Sequence, residues 1–83
     1  MRRELLWYHA GVEQIVQLSA RNARQATRIM VALRDFSNTG KGDLKKLSGS
    51  NDWRLRSGDW RVFLKLEGDI AWVFAISDRQ DAY

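Results

Sequence analysis

Apolar and polar residues alternate most cleanly between Trp53 and Leu66. Trp53 and Leu55, then Trp60, Val62, Leu64 and Leu66, fall on every second position, and a strand sends successive side chains to opposite faces. The pattern predicts two strands that share an apolar face. Ser57-Gly58-Asp59 joins them, with glycine free to take the positive φ that a tight hairpin loop needs. The other face receives Arg54, Arg56, Arg61 and Lys65, with Phe63 among them. One hairpin thus has an oily side and a cationic side.

The rest of the chain supplies what that oily side packs against. Glu4-Leu5-Leu6-Trp7-Tyr8 reads as a short strand. Val12, Ile15 and Val16, with Leu18 close by, predict a helix from about Ala10 to Leu18, and Ser19 is a candidate cap for the helix that follows. That second helix is expected from about Ala20 to Phe36, with Ala26, Ile29, Met30, Leu33 and Phe36 as its stripe and Arg21, Arg24 and Arg28 on a polar side. Met30 and Phe36 are assigned to the core. Ser37 to Gly42 breaks the pattern as a loop and lacks the Walker spacing of a phosphate-binding loop. Asp43-Leu44-Lys45-Lys46-Leu47 is a brief amphipathic segment, and a polar linker then leads into the hairpin. After a second turn at Glu67-Gly68-Asp69, the continuous apolar run from Ile70 to Ile76 suits a strand inside a sheet. The order is βααβββ: an α+β domain across residues 1–83, with a small antiparallel-rich sheet and two N-terminal helices on one face.

Composition narrows the function classes. A chain of 83 residues buries only about 60% of its unfolded surface, so a partner that binds the folded form would add stability by mass action. With no cysteine and a single histidine, His9, there is neither a disulfide framework nor a metal constellation, and no cofactor is implied. His9 is read as a loop or helix-entry residue. No apolar run approaches the roughly 20 residues of a membrane span, and no secretory leader order appears. A soluble, cytoplasmic protein without a membrane partner is expected. The net charge of +4 comes with 14 lysines and arginines, which makes polyanions candidate partners.

Three stretches carry a resemblance. Leu44-Lys45-Lys46-Leu47, then Trp53-Arg54-Leu55-Arg56-Ser57-Gly58-Asp59-Trp60-Arg61-Val62, then Asp78-Arg79-Gln80-Asp81-Ala82-Tyr83 resemble the RelE/ParE superfamily of bacterial toxins. The likeness runs residue by residue through the carboxy-terminal half and by element order through the amino-terminal half. It implies the βααβββ fold, an antitoxin partner in a hetero-oligomer, and one of two activities. RelE-like members cleave messenger RNA in the ribosome, using the substrate 2′-hydroxyl as nucleophile. ParE-like members inhibit DNA gyrase without cleaving anything.

By that resemblance the catalytic set is Arg61, Arg79, Tyr83 and Arg54. Arg54 stands where RNA-cleaving relatives carry a lysine, and Arg61 and Arg79 where they place phosphate-contacting arginines. Asp78 stands where many relatives have histidine, so the base is open. Tyr83 could serve as a phenolate or stack on a base, and Asp78 or Asp81 could act as a carboxylate or pair with arginine. Lys45, Lys46, Arg56, Lys65 and Phe63 are the expected RNA contacts, Arg56 with a structural role in the turn as its competing reading. A messenger RNA endonuclease is the favoured expectation. The alternatives are a gyrase inhibitor acting through the helical pair or the chain terminus and a degenerate toxin kept as an antitoxin-binding module.

Overall fold

The computed structural model describes residues 2–78. The chain runs β1 (Glu4–Trp7), α1 (His9–Arg21), α2 (Ala23–Thr39), β2 (Asp43–Lys46), β3 (Asp52–Ser57), β4 (Trp60–Glu67) and β5 (Ile70–Asp78). All five strands form one sheet in the order β1-β5-β4-β3-β2, with β1 parallel to β5 and every other pair antiparallel. The expected α+β class holds, with one strand more. The brief segment after the loop is the edge strand β2, whose Leu44 stands opposite Leu55.

α1 is longer than its stripe suggested, and α2 has the expected length but starts and ends three residues later. Ser19 lies inside α1, and the cap of α2 is Asn22, whose side chain accepts a hydrogen bond from Gln25 N at 3.1 Å. One residue therefore separates the two helices, and the cap satisfies an amide that would otherwise lack a partner. At its other end α2 absorbs Ser37 to Thr39, expected as loop, and stops at Gly40 with φ 75°. There the backbone turns left-handed, which glycine permits cheaply.

Leu18, Ala26, Ile29, Leu33 and Phe36 from the helices meet Leu55, Val62, Leu64, Ala71, Val73 and Ile76 from the sheet. Leu5, Trp7, Ile15, Leu44, Trp53, Trp60 and Leu66 pack around them half-buried. Met30 does not join them. It is 41% exposed, because it lies to the side of the line formed by Ile29, Leu33 and Phe36. Val12 and Val16 are exposed as well. At Gly11 an added Cβ would come within 2.9 Å of the Val73 carbonyl oxygen, so α1 lies on β5 more closely than a side chain allows.

β5 is the strand that departs from simple alternation. Phe63 pairs with Ala75 but Leu64 pairs with Val73, which leaves Phe74 as the extra residue of a bulge. Ala71 and Val73 face the helices before it, and Ile76 does so after it. β5 also outruns β1, whose pairing ends at Val73. Beyond that point α1 covers the edge, and Gln14 Oε1 accepts a hydrogen bond from Ile76 N at 2.6 Å.

Candidate functional site

Leu44, Leu55, Val62 and Leu64 point toward the helices, so the residues alternating with them form the open face of the sheet. Register sorts that face into rows. Asp43, Arg56, Arg61 and Ser77 are successive cross-strand partners, as are Lys45, Arg54, Phe63 and Ala75. Asp52, Lys65 and Trp72 make a third row. Five of the expected cations, Lys45, Arg54, Arg56, Arg61 and Lys65, thus share one face. Lys46 does not; it stands in register with Trp53, on the helix-side alternation. Asp78 ends β5 opposite Trp60. Arg79, Asp81 and Tyr83 lie outside the described residues.

The cations differ in what holds them. Arg56 Nε donates to the Gly58 carbonyl at 3.2 Å, which fits its structural reading: it braces the Gly58-Asp59 turn, where Gly58 has φ 60°. Lys65 Nζ pairs with Asp52 at 3.0 Å and sits 4.8 Å from the centre of the Phe74 ring. Arg54 and Arg61 are otherwise. Nε of Arg54 and Nη1 of Arg61 are buried and have no hydrogen-bond partner, and among the described residues neither guanidinium has a carboxylate in ion-pair range. A buried polar nitrogen left unsatisfied costs about 1–3 kcal/mol, more when charged.

Phe63 lies on this face as expected but is only 1% exposed, so it has no ring surface to offer a base. It is the floor of the site, with the Phe74 ring tilted against it at 6.1 Å between centroids. Trp72, read in the sequence as a core or rim aromatic, is half-buried with Tyr8 edge-on at 5.3 Å; Phe74 was missed in the sequence. A continuous apolar run carries no sign of which residues a bulge turns outward.

No protein-family model matches this sequence, and no curated protein matches it. Solved structures do. The archaeal RelE-RelB complex from Pyrococcus horikoshii aligns over 99% of this chain and 100% of that one, at TM-score 0.77 and 19% identity. The RelB-RelE antitoxin-toxin complex from Methanococcus jannaschii covers 94% of each chain at TM-score 0.76 and 20% identity. The DinJ-YafQ toxin-antitoxin complex of E. coli covers 100% of this chain and 99% of that one at TM-score 0.76, with 12% identity. The protein therefore has the fold of the RelE/ParE superfamily of toxins. Within it, RelE and YafQ share the whole architecture with this chain, across sequences that are largely different.

Proposed function

We propose that this protein is the toxin of a type II toxin-antitoxin system and that it acts as a ribosome-dependent messenger RNA endonuclease. The observation that carries the reading is the pair Arg54 and Arg61, two guanidiniums on one open sheet face with buried nitrogens that lack partners. A planar fork of N–H donors suits phosphate oxygens. In the reaction the substrate 2′-oxygen bonds to the adjacent phosphorus while the bond to the 5′-oxygen breaks, leaving a cyclic phosphate. Arg61 and Arg54 stabilise the charge that builds on the non-bridging oxygens. The 2′-hydroxyl proton must go to a base, and the leaving 5′-oxygen must gain one. Arginine stays protonated and cannot take that role. The groups to test are Asp78 and Tyr83.

The solved complexes with RelB and DinJ pair a toxin of this fold with an antitoxin, and they support an antitoxin as this chain's partner in a hetero-oligomer. A second reading has its own observation. Val12, Val16, Met30 and Val31 are exposed on the helices, Val16 at 61%, and they suit a protein target such as DNA gyrase better than a nucleic acid. Pulse labelling after brief induction separates the two readings. An immediate fall in amino-acid incorporation alone supports the endonuclease; an earlier fall in thymidine incorporation replaces it with the gyrase inhibitor.

A further inference from the structure

At the end of the sheet away from the Gly58-Asp59 turn, β4 outruns its neighbour. β3 begins with Asp52 opposite Lys65, so Leu66 and Glu67 have no strand beside them on that side. The gap is a notch of about 350 Å³, near the lower end of the range for ligand sites and of a size for one base rather than a larger molecule. Half-buried Trp53 and Leu66 line it, with Lys46, Asn51 and Glu67, all exposed, and with Lys65 and Asp52, which pair with each other. Lys65 also belongs to the open face through Asp52 and Phe74. The notch and the cationic face are therefore continuous, and four residues of β4 separate Lys65 from Arg61, about 13 Å along the strand.

We propose that this notch is a guanine-binding subsite for the RNA strand, a few nucleotides from the bond that is cut. The proposal rests on the endonuclease reading above. An ionised carboxylate only accepts hydrogen bonds and an ammonium only donates them. Guanine presents N1–H and an N2 amino group side by side, with the O6 acceptor next to them. Glu67 can take both donors with its two oxygens while a lysine donates to O6. Uracil, cytosine and adenine do not satisfy both oxygens of one carboxylate in this way. The Trp53 indole supplies a stacking wall, and aromatic stacking is how unpaired bases are commonly held. Lys46, excluded from the open face by its register, acquires a role here.

The test maps message ends in cells after brief induction of the full chain and of Glu67→Gln, Asn51→Ala and Trp53→Leu variants. The parent should show guanine enriched about fivefold or more at one fixed offset from the cut. Glu67→Gln should bring that enrichment close to background. Trp53→Leu should lower it as well; since Trp53 also packs on the core, the exposed positions Glu67 and Asn51 carry the decision. Enrichment unchanged in Glu67→Gln and Asn51→Ala, or absent from the parent, overturns the subsite and leaves the endonuclease standing. If the parent cuts no message, the endonuclease reading falls, and the subsite falls with it.

Discussion

The two faces of the sheet bury their atoms under opposite rules. Toward the helices everything buried is apolar, from Leu18 and Phe36 through Val62 and Leu64 to Ile76. Toward the open side a buried ring, Phe63, lies beneath guanidiniums whose inner nitrogens have no partner. The first arrangement is complete in the folded chain alone. The second leaves Arg54 Nε and Arg61 Nη1 unsatisfied, and in the reading proposed above that face is the one that meets RNA. If the division is real, substitutions on one side should change stability and leave activity, and substitutions on the other should do the reverse.

The largest expected effect is on the helix side. Phe36→Ala removes a fully buried ring and should cost about 3–5 kcal/mol, read as a drop in denaturation midpoint. Next, on the open side, Arg61→Ala should lower RNA cleavage by roughly 10² to 10³ while its melting curve stays at or above the parent's, since an unsatisfied nitrogen is lost. A variant as toxic as the parent would end the catalytic assignment. Gln14→Leu leaves the Ile76 amide without its acceptor and should destabilise by about 1–3 kcal/mol, with slower effects on activity only through folding. The smallest change is Asp52→Asn. Its ion pair with Lys65 is partly exposed and should be worth at most about 1 kcal/mol, visible as a small loss that shrinks further with added salt.

Where the period was two and unbroken, the sequence was a good guide. The hairpin faces of β3 and β4 follow from Trp53 to Leu66 almost residue by residue, including the cluster of Arg54, Arg56, Arg61 and Lys65. Where local chemistry competes with pattern, it was not. Asn22 takes the cap from Ser19 because a side chain beside the first free amides of α2 outweighs a small residue inside α1. Met30 satisfied a helical spacing yet lies outside the buried line, since a stripe drawn on five residues is wider than the face a sheet can cover. The bulge at Phe74 has no signature in an uninterrupted apolar run, so the aromatic floor beside Phe63 could only be seen once β5 was paired. Lys45 and Lys46 looked equivalent as neighbours in a row; pairing with Arg54 and Trp53 sends them to opposite sides.

The treatment of the sheet's borders has a further consequence, for how this chain behaves in a crowd. A border strand offers unpaired amides and carbonyls to any other extended chain, and long flat borders template aggregation. Here one border, β2, has four residues, of which Asp43, Lys45 and Lys46 are charged. On the opposite side the border is β1, also four residues long, and past its end β5 is held by Gln14 from α1. Neither invites a second sheet to dock. A chain rich in tryptophan and β-branched residues can therefore accumulate alone, before any partner reaches it, with little tendency to grow into fibres.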